Sequence, residues 1–285
     1  MNDATPAPHV ELAQDVCALP LARRLAAMLN RDPALLRVGE PLPRGWHVML
    51  FNVPTQQSQL RHDGAASQGV TLPELGLPRL MLAGRQVRFD GDTPLGAQVR
   101  RETRQGGVQM KQGRSGRFAL VKIEHRIFVR GGTQPAVVET QDYVLREAAA
   151  ATAAAATAPA AEAGQAAQRP DASMTITPDE ALLFRYSAIT DNPHRIHYDK
   201  AYATQTEGYP ALVVNGSIPA MFLLELFRTA AGREPAAFTS RNVAPMFCGS
   251  PLHLKALRQG GIDGKSWRLW AEDDSGNTTF DAHAE

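Results

Sequence analysis

The sequence predicts an α+β protein in which an antiparallel sheet curls around a buried central helix, with this unit occurring twice. Three observations carry the prediction. Residues Ser217 to Ala231 have helical spacing but are apolar nearly all round, through Met221, Phe222, Leu223, Leu224, Leu226 and Phe227; such a helix must be wrapped on every side. Segments in both halves of the chain alternate apolar and polar side chains, as half-buried strands do. Between the halves, residues 147–172 are almost wholly Ala with Thr, Glu, Gln, Gly and Pro. That run has no large apolar face and cannot build a core. The expected organisation is an N-terminal unit over 1–146, a linker over 147–172 and a C-terminal unit over 173–285.

Taken in order, Val10 to Asn30 has the spacing of a helix, with Val16, Leu19, Leu25, Met28 and Leu29 on one face and Pro20 as a candidate break. Pro41 to Pro54 is short, apolar and aromatic, and Gln56 to Pro73 is a polar loop. Arg79–Phe89, Gln98–Glu102, Val108–Met110, Phe118–Arg130 and Val137–Leu145 read as an antiparallel meander with one covered face. The central helix of this first unit is not evident. In the second unit, Thr177-Pro178-Asp179-Glu180 opens a helix, with Thr177 as its cap, that runs from Ala181 to Ile189. Ser217 is expected to cap the central helix and Gly232 to end it. Leu252–Leu257, Ser266–Glu272 and Asn277–His283 supply the wrapping strands.

The formal net charge of +1 offers no basic field for a phosphate backbone, which excludes nucleic acid as a partner. The two cysteines, Cys17 and Cys248, form no CxxC and no Cys/His metal spacing, so a reduced compartment and no metal are expected. The first residues carry Asp and Glu and lack the apolar core of a secretory signal. The most apolar run, Ala211 to Phe227, is interrupted by Asn215, Gly216, Pro219 and Glu225, so no membrane span is expected. A cytoplasmic protein follows.

The densest chemistry lies in FRYSAITDNPHRIHYD, Phe184 to Asp199. Asp191, Asn192, His194, His197 and Asp199 cluster there, and a Gly-containing turn leads from them into the apolar helix. By itself this is either a solvated polar loop or half of an active site. The phrase, with the later GYPALVVNG, resembles the MaoC-like acyl dehydratases of hotdog fold. More narrowly it is similar to their two-hotdog branch, which includes itaconyl-CoA and mesaconyl-CoA hydratases and mitochondrial-type 3-hydroxyacyl-thioester dehydratases. PLPRGWHVMLF at 41–51, LPRLMLAG at 77–84, KQGRSG at 111–116 and ETQDYVLRE at 139–147 extend the likeness over most of the chain outside the Ala-rich run.

The resemblance implies a double hotdog and an enzyme that adds or removes water across the α,β double bond of a short enoyl-CoA, with a five-carbon dicarboxylyl-CoA such as itaconyl- or mesaconyl-CoA favoured. In the wider family an Asp precedes the catalytic His by five residues; here the His is His197 and the Asp position holds Asn192. His197 is then the general base and acid, as a group titrating near neutrality must be, and Asn192 holds the water. Gly216, at a helix start with open N–H groups, steadies the thioester oxygen. Asp191 and Asp199 orient the ring or share its proton, His194 orients, and Asn215 stands where relatives carry His. Arg195 and Tyr198 are candidate substrate contacts, and Arg195 or Arg185 would meet an acid group at the acyl end. Lys111 and Arg114 either meet the CoA phosphates or are solvated charges on a turn. His47 and His125 are given no role. No cofactor is expected beyond the coenzyme A of the substrate; the partner is that small molecule, with a homo-oligomer left open. The alternatives are a 3-hydroxyacyl-thioester dehydratase of fatty-acid synthesis, an acyl-CoA thioesterase, and a non-catalytic acyl-thioester binding module.

Overall fold

The computed structural model describes residues 10–52, 54–65, 72–77, 79–113, 116–147, 169–260 and 265–285. In the first half β1 (Val10–Val16) leads into α1 (Leu19–Met28), followed by β2 (Arg79–Phe89), β3 (Gln98–Gly113), β4 (Gly116–Val129) and β5 (Val137–Arg146). The second half contains β6 (Ala172–Ile176), α2 (Glu180–Ile189), α3 (Ser217–Ala231), β7 (Ala237–Asn242), β8 (Leu252–Arg258), β9 (Trp267–Glu272) and β10 (Thr278–Ala284). All ten strands form one sheet in the order β1-β3-β4-β5-β2-β7-β10-β9-β8-β6. Read inward from its two edges, the sheet repeats itself: β1-β3-β4-β5-β2 from one side, β6-β8-β9-β10-β7 from the other. The halves meet where β2 pairs antiparallel with β7.

The apolar helix is wrapped as its composition demands. Leu252, Leu254 and Ala256 of β8, Leu269 and Ala271 of β9, and Phe280, Ala282 and Ala284 of β10 are buried in one core with α3. Phe227 meets Trp267 edge-on at 6.1 Å between ring centroids. Gly232, at φ +67, closes α3 in the left-handed conformation that glycine adopts without strain.

The first half does not repeat this helix. Between α1 and β2, where α3 would correspond between α2 and β7, the described residues form only short 3-10 turns, of which Trp46–Met49 packs into the core. Trp46 and Met49 are fully buried, and Trp46 Nε1 donates to Glu225 of α3 at 3.0 Å. Gly45 lets the turn approach: its φ is +96, and a Cβ there would lie 2.4 Å from Leu224 Cδ1. One helix therefore serves the core of both halves, which is why no second one is visible in the sequence.

Several expectations need correction. Val10 to Asn30 is a strand and then a helix; VELAQDV pairs along β3, and Pro20 sits in the first turn of α1, where its missing N–H costs nothing. Gln98–Glu102 and Val108–Met110 are one strand whose register shifts between Gln105 and Val108. The cap of α2 is Asp179, whose carboxylate accepts from the Leu182 N–H at 2.8 Å, not Thr177. Strands β6 and β7 were not foreseen. Most of the Ala-rich run lies outside the described residues. Among the described residues no helix is long and apolar enough to cross a membrane.

At the seam, β2 bulges between Leu82 and Gly84, and a Cβ on Gly84 would stand 2.5 Å from the backbone oxygen of Ser240. Gly84→Ala must push β2 and β7 apart. It is expected to lower stability by about 1–3 kcal/mol, the usual cost of overpacking, read as a lower midpoint in urea denaturation. An unchanged midpoint contradicts the close packing of the seam.

Candidate active site

The polar loop is built by local devices. Asp191 turns the chain out of α2 with φ +46. Asn192 Oδ1 accepts the His194 N–H at 3.2 Å, a side-chain turn of the kind Asn favours. A short turn, Arg195–His197, follows. Asp199 then caps the next turn, accepting the Tyr202 N–H at 3.0 Å. The first half holds this loop from outside: the Asp63 carbonyl accepts the Arg195 N–H at 2.8 Å.

His197 is buried at the centre. Its Nδ1 lies 2.7 Å from the Val213 carbonyl. A carbonyl can only accept, so Nδ1 carries the proton and Nε2 keeps its lone pair. The carbonyl is itself fixed, because the Val213 N–H donates to Ile196 at 3.0 Å and the Val214 N–H to Met246 at 2.8 Å. Burial lowers the His197 pKa to about 4, against the opposing effect of its hydrogen bond to the Val213 carbonyl. The His194 ring stands edge-on to it at 5.6 Å, and His194 too is held below its usual value, chiefly by burial.

From Val213 the chain runs directly into α3. Asn215 occupies the donors of the first turn: its side-chain oxygen accepts the Ser217 N–H at 3.0 Å and its carbonyl accepts the Ile218 N–H at 2.9 Å. Pro219 has no N–H. This leaves the Gly216 amide as the donor of that turn without a protein acceptor among the described residues. Ser217 is not the cap; its hydroxyl accepts from Arg85 Nη2 at 3.0 Å. The φ of Gly216 is −59, so any residue could adopt the backbone. Space is what requires glycine, since a Cβ would lie 2.5 Å from Asn242 Oδ1. The Asn242 amide also donates to the Leu82 carbonyl across the seam at 3.0 Å.

Through Ser217 the site continues into the first half. Arg85 Nη1 lies 3.4 Å from Glu139 Oε1, and Glu139 Oε2 lies 2.8 Å from His47 Nε2. Gln141 donates to Glu139 Oε1 at 2.8 Å and Tyr143 to Gln141 at 2.7 Å. His125 bonds Thr103 at 2.9 Å. Glu139 is buried, yet Arg85 and His47 overcome the burial and hold its carboxyl well below the usual carboxylate range. Tyr186 of α2 is buried against this group, and that burial raises the pKa of its hydroxyl.

Of the residues foreseen, His197, His194, Asn192, Asn215 and Gly216 share this region. The carboxylates do not serve His197 as expected. Arg195 Nε and Nη2 donate to Asp199 Oδ2 at 3.1 and 2.8 Å, and Asp191 is exposed. The Arg195 guanidinium also lies 4.2 Å from the Tyr202 ring centroid, so it is committed within the loop. Tyr198 is exposed. Lys111 is exposed on β3, separated from the seam by β4, β5 and β2, and Arg114 lies outside the described residues. Arg85, Glu139, His47, Ser217, Tyr186 and Asn242 were missed. Strand parity held the signal: Arg85 shares the inward face of Val87 and Phe89, and Glu139 that of Val137.

Two like half-sheets joined around one buried helix, with a buried imidazole bonded to the segment that leads into that helix, are the arrangement of a double hotdog hydro-lyase. The chain belongs to the hydroxyacyl-thioester dehydratase type 2 family, whose model matches residues 45–248. It is 36% identical over 278 residues to a mesaconyl-C(4)-CoA hydratase of Chloroflexus aurantiacus, covering 96% of this chain and 94% of that one. Its fold is similar to a MaoC-like dehydratase of Phytophthora capsici, with a TM-score of 0.70 at 12% identity over 97% of this chain and 94% of that one. A Mycobacterium tuberculosis protein described as a double hotdog aligns with a TM-score of 0.56 at 16% identity, over 99% and 96% of the two chains.

Burial sets the pH response. His125 and His197 are each held at about 4 in the folded protein, from an ordinary 6.5. As pH falls, the unfolded chain takes up these protons first, so stability should decline between about pH 6.5 and about pH 4. Urea midpoints measured across that window should fall with pH; a flat or rising series contradicts the burial of the two rings.

Proposed function

We propose that this chain hydrates a short α,β-unsaturated acyl-CoA, with a five-carbon dicarboxylyl-CoA as substrate, through a single imidazole. The observation that carries the reading is the locked tautomer of His197. Water bound at Nε2 gives up a proton as its oxygen attacks the β-carbon. Asn192, with its oxygen fixed by the His194 N–H, has its Nδ2 free to seat that water. Negative charge gathers on the thioester oxygen, where the Gly216 amide at the positive end of α3 stabilises it. The imidazolium then returns a proton to the α-carbon and His197 is restored. Read backwards, the same steps dehydrate a 3-hydroxyacyl thioester.

The dicarboxylyl substrate is supported by the relative of 36% identity, named for mesaconyl-C(4)-CoA. A 3-hydroxyacyl-thioester dehydratase is the second reading, favoured by the description of the family itself. Thioester hydrolysis requires a carboxylate aimed at the carbonyl carbon. Asp199 is spent on Arg195 and the Tyr202 N–H, which argues against it.

His197→Ala should lower hydration by about two to four orders of magnitude in a protein that still folds, read as loss of enoyl-thioester absorbance over a panel of enoyl-CoA esters. Retained turnover in the folded variant overturns the assignment. Because one ring both takes and returns the proton, water should add to a single face. Hydration in deuterated water, followed by proton NMR of the product, should give the syn isomer; anti addition requires a second acid and rules out the one-imidazole mechanism.

A further inference from the structure

The inner face of the first half's sheet is polar where an acyl chain would call for hydrocarbon. Across one row, Thr103, His125 and Glu139 stand in register on β3, β4 and β5; in the next, Gln141 faces Arg85 of β2. Thr103, His125, Glu139 and His47 are all buried, and the Arg85 side chain is 12% exposed. A hydrocarbon chain laid against these groups would leave donors facing carbon, which is costly.

Arg85 is the under-used member of the group. A guanidinium offers five N–H donors. Nη2 donates to Ser217, and the approach of Nη1 to Glu139, at 3.4 Å, is long for a hydrogen bond. Glu139 cannot neutralise it alone. Its oxygens already face His47 and Gln141, each at 2.8 Å, and Arg101 draws on the same carboxylate as well as on Glu11 and Asp15. Arg85 thus combines burial, a shared counter-ion and spare donors. It touches Ser217, the residue after the amide that would hold the thioester oxygen, so its positive charge lies within a few bonds' reach of the carbonyl end of a bound acyl group.

We propose that Arg85 recognises a free carboxylate on the acyl group and so selects a dicarboxylyl-CoA over a neutral enoyl-CoA. The inference rests on the hydratase reading above and deepens it. The carboxylate supplies the acceptors that Arg85 lacks, and the short dicarboxylic skeleton places them there while the thioester oxygen sits at Gly216. Arg195 and Arg185 are not needed for this task, and Arg195 is already paired.

The test is the ratio of kcat/KM for mesaconyl-C(4)-CoA to that for crotonyl-CoA, which lacks the carboxylate. The wild-type protein should favour the acid. Arg85→Met should lower the ratio by about 100-fold, the scale of losing one partner of a buried charge pair, chiefly through KM of the acid, and Arg85→Lys should recover part of it. A ratio unchanged in Arg85→Met, with both substrates falling together, makes Arg85 a structural tie and overturns the proposal. A second measurement needs no variant: converting the free carboxylate of the substrate to its methyl ester should cost the wild-type protein a similar factor, and equal turnover of acid and ester overturns the proposal. Wild-type turnover of neither thioester is a distinct outcome that removes the hydratase reading and this inference with it.

Discussion

The hydrogen bond between His197 Nδ1 and the Val213 carbonyl is the contact on which the site depends. It decides which ring nitrogen holds the proton, and it joins the loop after α2 to the segment that becomes α3. Val213 is tied to that loop twice, through its carbonyl to His197 and through its N–H to Ile196. The imidazole and the Gly216 amide are therefore placed by one short piece of backbone. Opposing effects compete at the ring. The Val213 bond favours the imidazolium, whereas burial and, to a smaller extent, the neighbouring His194 disfavour it; the outcome is about 4 from an ordinary 6.5, a net of roughly 3 kcal/mol. At neutral pH the ring is a base at rest. Once protonated it is a strong acid, which suits a group that must return its proton in the same cycle.

The halves of the molecule divide the work. The second encloses α3 in apolar strands and presents the start of that helix at the seam. The first spends its inner face on Arg85, Glu139, His47 and their neighbours. Such a group is expensive to bury and is a weak source of stability. Its cost is tempered because each member finds a partner: Glu139 is reached by His47, Gln141 and Arg85, and Ser217 by Arg85. The seam brings the two parts together, with Gly84 against Ser240 and Asn242 reaching over Gly216 to Leu82. Trp46, bonded to Glu225 of α3, replaces the helix that the first half lacks.

Much of this was legible in the sequence because it depends on local pattern. The all-round apolar character of α3, the alternation in β4 and β5, and the glycine past the end of α3 are properties of consecutive residues. The His197 cluster was found through its motif. What stayed hidden depends on partners distant in the chain. AFTSRN, the strand β7, is short and half polar; it becomes a strand because β2, from the other half, lies beside it. VELAQDV fits a helical face and an alternating strand alike, and pairing with β3 decides the matter. Asp199 looked like a proton partner for His197 until Arg195, four residues earlier in sequence, claimed it. Arg85 and Glu139 were given no role, although the parity that puts Val87, Phe89 and Val137 inside puts them inside too.

The most direct measurement of the central contact is nitrogen-15 NMR of the histidine rings, with His197 assigned through its absence in a His197 variant. The account predicts a neutral ring protonated at Nδ1, with a bare Nε2, that keeps this state until the pH approaches about 4. A ring protonated at Nε2, or one that titrates near the ordinary value of about 6.5, would mean that neither Val213 nor burial governs His197, and the assignment of the base would fall.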